Sequence, residues 1–234
     1  ERISTLANRV QDELLRADPD IEKHPEKYFS RVIEINLSKL EPHIVGPHSP
    51  DVARPISKLK EDVERNNFPD YLHACLIGSC TNSSYEDLSR VVDIAKQAQK
   101  MGLKAKTKLL ISPGSEMIYE TIKRDGFIEI LESVGAVVLA NACGPCIGQW
   151  KRDDIQKNQK NSILTSFNRN FPRRNDGNPE TLAFIGSPEI VMAMSFSGNL
   201  KFNPLKDSLK SYQGKEARFQ TPEISDEIPP KGFS

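Results

Sequence analysis

Residues 72–87 have the sequence LHACLIGSCTNSSYED, which predicts a strand, a polar loop and the start of a helix. Leu72–Ile77 is a mostly apolar run with the length of a buried strand. Ser83 is followed three residues later by Glu86, which is the spacing of a capping box at a helix N-terminus. The stretch therefore predicts one strand–loop–helix unit of an α/β fold, with Cys80 in its loop.

The alternation of strand and helix patterns continues along the chain. Further strands are predicted at Thr107–Ile111, Ala136–Ala140 and Ile163–Phe167. Helices are predicted from apolar positions at helical spacing, which are Ile56, Leu59 and Val63; Leu88, Val91, Val92 and Ala95; Met117, Ile118 and Ile122; and Phe127, Ile130 and Leu131. A last helix is predicted after Ser187-Pro188-Glu189, with Gly198 at its C-cap. We predict an α/β fold with a three-layer, doubly wound and mostly parallel sheet.

The sequence before residue 56 has a different character. An amphipathic helix is predicted from Ile3, Leu6, Ala7, Val10, Leu14 and Leu15. Val32–Leu37 alternates in part and predicts a strand, whereas the prolines and glycine between Pro42 and Pro55 predict a linker. We expect a domain boundary near residue 45, so that residues 1–44 form the end of a preceding domain plus a linker and residues 45–234 form an α/β domain with a loop-rich tail. Because the chain starts at Glu1 without a signal-peptide pattern, we expect an excised or processed piece.

The bulk composition excludes several classes of protein. With 37% hydrophobic and 27% charged residues among 234, the chain has the composition of a soluble globular protein. It has 32 basic and 32 acidic residues, so no net field favours nucleic acid or an anionic membrane, and nucleic acid is not the expected partner. No apolar run is long enough to predict a membrane-spanning helix. The few cysteines suit a reducing compartment, cytosol or matrix, better than a secreted disulfide scaffold.

Three cysteines lie in polar loops that follow predicted strands. Cys80 follows the first strand, and Cys143 and Cys146 lie in the sequence ANACGPCIGQW at residues 140–150. A structural zinc site takes four protein ligands and disulfides take an even number of cysteines. A cubane iron–sulfur cluster held by three thiolates instead leaves one iron open, which suggests catalysis.

Other interpretations of these cysteines are a half zinc site, a redox dithiol or ordinary loop residues. The four histidines, His24, His43, His48 and His73, all precede Cys80. If the residues between them are extended, His73 lies roughly 23 Å from Cys80 and the two cannot share a metal. A redox dithiol leaves Cys80 and the nearby arginines unexplained. Cys75 lies inside the apolar strand and is predicted to be a core residue.

A loop rich in cationic residues follows the strand predicted at Ile163–Phe167. Asn168, Arg169 and Arg174 lie in this loop. The arginines are either solvated surface cations or planar, bidentate donors for carboxylates. Because side chains at the carboxyl ends of parallel strands meet at one edge of the sheet, this loop and the cysteine loops are expected to converge. We interpret Ser83 and Glu86 as a helix cap rather than catalytic residues, and Trp150 as a packing residue.

Three ordered strings carry a resemblance to a known family. GSCTNSSYED at residues 78–87, ANACGPCIGQW at 140–150 and SFNRNFPRRNDGNPE at 166–180 resemble the cluster-binding segments of the aconitase family, in particular its mitochondrial-type members. The resemblance implies that Cys80, Cys143 and Cys146 bind a [4Fe-4S] cluster whose unligated iron acts as a Lewis acid. It also implies that Asn168, Arg169 and Arg174 contact the carboxylates of citrate, cis-aconitate or isocitrate. The implied activity is a reversible hydro-lyase reaction of the tricarboxylic acid cycle.

The sequence departs from the family pattern in two ways. Family members usually have a glycine immediately before the last arginine of the third string, whereas Pro172-Arg173 precedes Arg174 here, which puts the orientation of Arg174 in question. The family's catalytic serine, histidine and aspartate have no matching motif in this chain. We therefore expect an internal portion of the enzyme that needs the remaining aconitase domains as partners and does not turn over citrate alone. The implied location is the mitochondrial matrix in a eukaryote or the cytoplasm in a bacterium.

Three other functions remain open from the sequence. Homoaconitase and isopropylmalate isomerase share part of the third string, although the first two strings favour aconitase. Cluster-free relatives of aconitase bind RNA, and the balanced charge argues against this role. A zinc-stabilised structural module is the third alternative, which metal and sulfide analysis distinguishes from an iron–sulfur protein.

Overall fold

A computed structural model describes residues 17–78, 80–141, 144–223 and 228–234. The chain divides into two compact units, Glu1–Leu40 and Glu41–Ser234. The unit that carries the sheet thus begins slightly before the expected boundary near residue 45, and the assignment of residues 1–44 to a preceding domain stays a prediction. The helix predicted from Ile3 to Leu15 lies outside the described residues.

The first unit contains short helical elements and no strand in its described part. Helix α1 spans Pro19–Lys23, and 3₁₀ turns cover Pro25–Lys27 and Leu37–Lys39. The strand predicted at Val32–Leu37 is therefore wrong for this chain. Ile33 and Leu37 are 70% and 77% exposed. An alternating segment becomes a strand only when a neighbouring strand pairs with its backbone, and none does so among the described residues.

The second unit is built on a seven-stranded sheet with the order β2-β1-β7-β6-β3-β4-β5. The strands are His43–Val45 (β1), Ala53–Pro55 (β2), Leu72–Ile77 (β3), Lys108–Ile111 (β4), Ala136–Val138 (β5), Asn161–Thr165 (β6) and Thr181–Ile185 (β7). Strands β3 to β7 run parallel, whereas β1 is antiparallel to both β2 and β7. Leu209–Lys210 (β8) and Glu216–Ala217 (β9) form a separate two-stranded ribbon in the loop-rich tail. The predicted α/β class with a mostly parallel sheet is confirmed.

Two features of the sheet differ from the sequence predictions. The segment predicted as a linker contains the hairpin β1–β2, with Pro55 paired to His43 at the outer edge of the sheet. Proline is tolerated there because an edge strand leaves one row of N–H groups without a ladder partner. Strand β7, with the sequence TLAFI, was not predicted, and β6 begins two residues before Ile163.

Helices follow strands β2, β3, β4 and β7. They are Ile56–Arg65 (α2), Tyr85–Lys100 (α3), Glu116–Arg124 (α4), Phe127–Ser133 (α5) and Pro188–Ser197 (α6). The capping box of α3 lies one residue further along the chain than predicted. Ser84 is the N-cap, and the Asp87 side chain accepts a hydrogen bond from the backbone N–H of Ser84. Gly198 caps α6 in the left-handed conformation, as predicted.

The two faces of the sheet are covered differently. Side chains such as Cys75, Ile77 and Leu164 point to the face on which the helices pack. The opposite face presents an apolar set of Ala74, Leu76, Leu110, Ile163, Phe167 and Ala183. This second face is covered by loop residues, which are Leu139, Cys146 and Trp150.

Chain connectivity explains this division. The chain moves from β3 to β4 and β5 in one direction along the sheet and then returns to β6 and β7 in the other. Because parallel connections are right-handed, reversing the direction places the connections on the opposite face. The loops that follow β5 and β6 are therefore neighbours in the layer without helices.

Candidate functional site

The strand order reverses between β3 and β6, which are adjacent in the sheet. Their carboxyl ends form the kind of crevice where ligands bind in open α/β sheets. Cys80 follows β3, and Asn168 and Arg169 follow β6; all three are exposed. The structure thus places predicted site residues from two distant parts of the sequence at one edge.

Direct hydrogen bonds join the loops after β3 and β6. Asn82 Nδ2 donates to the carbonyl oxygen of Ser166 at 2.5 Å. Asn168 Nδ2 donates to Thr81 Oγ1 at 3.1 Å, and Cys80 Sγ lies 3.8 Å from the same oxygen. Thr81 therefore connects a predicted cluster ligand to a predicted substrate ligand.

Gly78 makes the turn that presents Cys80. Its φ is +145°, a value that side-chain-bearing residues rarely adopt. A Cβ atom at this position would collide with the carbonyl oxygen of Ser112, at the end of β4. The backbone N–H of Gly78 donates to Ser166 Oγ at 3.0 Å, which binds the turn to the β6 loop. This position therefore requires glycine for both conformation and space.

The second cysteine loop lies on the helix-free face. Cys146 is half-buried in a 3₁₀ turn at Gly144–Ile147 and packs with Trp150 against the apolar set of that face. The packing role predicted for Trp150 is confirmed. Cys143 lies outside the described residues, so its place as a cluster ligand stays a prediction.

This loop contacts the segment that carries Arg174. Asn175 Nδ2 donates to the carbonyl oxygen of Pro145 at 3.2 Å. A Cβ atom built on Gly148 would lie 3.2 Å from the carbonyl oxygen of Arg174, so the two backbones approach closely there. Cys146 and Arg174 are thus held on loops that touch.

Arg174 has an unsatisfied donor. Its Nε is buried with no hydrogen-bond partner among the residues that the structure describes, while its guanidinium carbon lies 5.3 Å from the centre of the Phe171 ring. An unpaired buried donor is costly unless a ligand supplies the acceptor. The preceding Arg173 has φ +67°, the left-handed conformation that glycine adopts without strain.

Cys75 is a core residue, as predicted. It is fully buried on the helix-covered face, and burial raises the pKa of its thiol to about 12. A thiol with such a pKa supplies little thiolate at neutral pH, and thiolate is the form that binds metal.

The donor chemistry of the site suits a thiolate-bound group. Cys80 and Cys146 are free rather than disulfide-bonded. In the part of the chain that the structure describes, no group of three or more His, Cys, Asp and Glu residues forms a complete ligand set for a metal ion. Cys143 has the matching chemistry but lies outside the described residues, so a ligand set of Cys80, Cys143 and Cys146 stays a prediction.

Sequence reasoning missed Thr81, Asn175 and Arg152. The first two are small polar residues within the predicted strings, and their roles depend on hydrogen bonds between loops that are distant in sequence. Arg152 lies just outside the second string and is almost completely buried in an ion-pair network. A single arginine beside a tryptophan gives no pattern from which such burial can be predicted.

The fold and the site define an α/β domain with the exposed Cys80 and an arginine-bearing loop at the switch point of a mostly parallel sheet. Residues 5–198 match the model of the Aconitase family (aconitate hydratase). The chain belongs to this family.

Individual relatives agree with this assignment. The chain is 53% identical over 231 residues to the mitochondrial aconitate hydratase of Gracilaria gracilis, covering 99% of this chain and 29% of the relative. It is 57% identical over 205 residues to that of Aspergillus fumigatus, covering 88% and 26%. It is also 55% identical over 221 residues to the mitochondrial homocitrate dehydratase of Saccharomyces cerevisiae, covering 94% and 27%. The chain spans less than a third of the length of these relatives.

Proposed function

We propose that this chain is the cluster-bearing part of an aconitate hydratase, which interconverts citrate and isocitrate through cis-aconitate. The observation that carries the proposal is the shared contact of Cys80 and Asn168 with Thr81 at the switch point of the sheet. Family membership and the relatives' names give the reaction class. Those names also support a mitochondrial location for the parent enzyme.

The proposed cofactor is a [4Fe-4S] cluster bound by Cys80, Cys143 and Cys146. Cys80 is exposed and Cys146 is half-buried, so both thiols are available at the surface of the site. A bound cluster would supply a Lewis-acidic iron for the substrate hydroxyl. The protein holds the proposed cluster ligands near the proposed substrate ligands, because the contacts of Thr81 and Asn175 fix the two cysteine loops against the Asn168–Arg174 loop.

The proposed substrate ligands are Asn168, Arg169 and Arg174. A tricarboxylate needs several cationic anchors, and guanidinium groups bind carboxylates through paired N–H donors. The buried Nε of Arg174 has no acceptor within the described residues, and a substrate carboxylate would supply one. Proton transfer requires a base, and the remaining aconitase domains are the proposed source of this group.

The test uses the full-length parent enzyme after anaerobic reconstitution with iron and sulfide. We expect stoichiometric iron and acid-labile sulfide, turnover of citrate, and loss of both cluster and turnover in Cys80→Ser. Stoichiometric zinc without labile sulfide would refute the cluster. The isolated chain is expected to bind the cluster but not to turn over citrate.

A second candidate is dehydration of homocitrate. The similarity to the yeast homocitrate dehydratase is the observation that favours it. Parallel assays of citrate, homocitrate and isopropylmalate decide between these substrates. A higher kcat/KM for homocitrate or isopropylmalate than for citrate would overturn the aconitase assignment.

A further inference from the structure

Arg152 lies at the centre of a buried polar network beneath the two site loops. Its side chain is 2% exposed. Nη1 donates to Asn161 Oδ1 at 2.7 Å and to Asp176 Oδ2 at 3.2 Å, whereas Nε donates to Asp154 Oδ1 at 3.0 Å and Nη2 contacts the other oxygen of Asp154. We call these four residues the Arg152 network.

The network joins two loops that also touch through the hydrogen bond from Asn175 to Pro145. Arg152 and Asp154 belong to the loop that carries Cys146, whereas Asp176 is two residues beyond Arg174 in the other loop. Asp176 is 2% exposed and also accepts a hydrogen bond from Thr181 Oγ1 at 2.7 Å, at the start of β7. One guanidinium thus ties the cysteine loop and the arginine loop to the amino ends of β6 and β7.

The network also fixes the packing of the cysteine loop on the sheet. The guanidinium carbon of Arg152 lies 4.8 Å from the centre of the Trp150 ring, a cation–π arrangement. Trp150 and Cys146 both pack against the apolar set of the face opposite the helices. Loss of the guanidinium would therefore release Trp150 and Cys146 as well as Asp176.

A buried arginine that is paired with two carboxylates does not in general stabilise the folded state. Replacing a buried ion pair with apolar groups is often neutral for folding, because the charges must be desolvated. The planar guanidinium of Arg152 instead fixes the positions of Asp154 and Asp176 relative to each other, because it contacts both aspartates at fixed angles.

We propose that Arg152 is a positioning residue that sets the distance between the Cys146 thiol and the guanidinium of Arg174. This inference rests on the proposed function, because it states that Arg152 supports the loop of a proposed cluster ligand and the proposed substrate loop. Arg152 does not touch the substrate. It acts through Asp154 and Asp176 on the residues that do.

The first experiment needs no cluster. In the apo form of this chain, the alkylation rates of Cys146 and Cys80 by iodoacetamide are compared by mass spectrometry, with exposed Cys80 as internal reference. We expect Arg152→Met to raise the ratio of the Cys146 rate to the Cys80 rate, because the half-buried Cys146 becomes more exposed once its loop is released. An unchanged ratio would overturn the proposal. Because this result does not depend on iron or activity, it stands apart from failure of the proposed function.

The second experiment uses the reconstituted full-length enzyme. Arg152→Met is expected to speed chelator-induced iron loss by about 10-fold and to raise the KM for citrate more than it lowers kcat, since both loops are displaced. Arg152→Lys keeps the charge but cannot contact both aspartates as a fork, and we expect it to resemble Arg152→Met. If Arg152→Lys had the iron-loss rate and the KM of the unsubstituted enzyme, the proposal that Arg152 acts through the shape of its guanidinium would be contradicted.

Two control variants separate positioning from general damage. Leu131→Ala removes a fully buried side chain of α5 on the helix-covered face, so it destabilises the fold away from both loops. Arg124→Met removes a bidentate pair with Asp125 outside the site. Neither control is expected to change the Cys146-to-Cys80 alkylation ratio or the rate of iron loss. A similar change in Leu131→Ala would show that Arg152 acts only through stability.

Discussion

At the scale of single residues, Arg173 precedes the predicted substrate ligand Arg174 and has an unfavourable backbone conformation. Its φ of +67° lies in the left-handed region, where an L-residue with a Cβ is disfavoured by about 1 kcal/mol and glycine is not. We expect Arg173→Gly to raise the free energy of unfolding by about 1 kcal/mol, measured by urea denaturation. Arg173→Ala is the matched control, because alanine loses the charge but keeps the strained Cβ. An equal gain in both variants would mean that charge, not conformation, is responsible.

The two thiols that belong to β3 and its loop differ in their expected roles. Cys75 is fully buried with a raised thiol pKa, whereas Cys80 is exposed at the switch point. In the reconstituted parent enzyme we expect Cys75→Ala to keep its full iron content at a cost of about 1 kcal/mol in stability. Cys80→Ala should instead lose iron with little change in the stability of the apo form. Iron loss in Cys75→Ala at temperatures where the fold is intact would contradict this division.

At the scale of elements, helix α3 begins directly after the Cys80 loop and depends on its cap. Ser84 Oγ accepts from the N–H of Asp87 at 3.1 Å, and Asp87 accepts from the N–H of Ser84 at 3.0 Å. Removing such a cap costs about 1 kcal/mol. We expect Ser84→Ala to lower the free energy of unfolding by this amount in thermal or urea denaturation, and Ser84→Asn, which retains a capping oxygen, to lose much less. Equal losses in both variants would exclude the cap as the cause.

The elements that the sequence predicted correctly are those whose pattern is local. Helices α2 and α3 have apolar positions at helical spacing, and α6 is marked by Pro188 in its first turn and by Gly198 at its C-cap, so neighbouring residues determine all three helices. Strand β7 was missed because a short run such as TLAFI, after a polar loop, has no period that distinguishes it. The hairpin β1–β2 was missed because its prolines are compatible with a strand only at the edge of a sheet, and edge position is a property of the assembled sheet.

The convergence of the loops that carry the candidate residues was predictable from the sequence, but the contacts between these loops were not. Cys80, Asn168 and Arg174 belong to strings that follow strands, and the rule for parallel sheets brings strand ends together. The contacts that connect them, such as Asn175 with Pro145, depend on how two loops fold back over one face. Such contacts follow from the layer arrangement rather than from either string alone.

At the scale of the whole molecule, the division of the sheet into two faces organises both stability and function. The helix-covered face holds the larger apolar core, which supplies a rigid base for the parallel strands. The other face is covered by irregular loops, and loops placed on a rigid base commonly carry binding and catalytic residues. The reversal of strand order between β3 and β6 therefore opens a crevice at the strand ends. It also brings the loops that follow β5 and β6 to the same face.

Two half-buried histidines make the stability of the whole molecule depend on pH. In the described part of the chain, His73 Nδ1 and His48 Nδ1 are buried and have no hydrogen-bond partner. Burial lowers the pKa of both side chains below the ordinary 6.5, and the charge of Arg152 lowers that of His73 further. The unfolded chain therefore binds more protons than the folded chain just below pH 6.5, so the free energy of unfolding should fall as the pH drops from 6.5 through the folded-state values. We expect the variant with His48→Gln and His73→Gln together to lose most of this slope, as measured by urea denaturation across the window. A slope that persists unchanged in the double variant would assign the pH dependence to other groups.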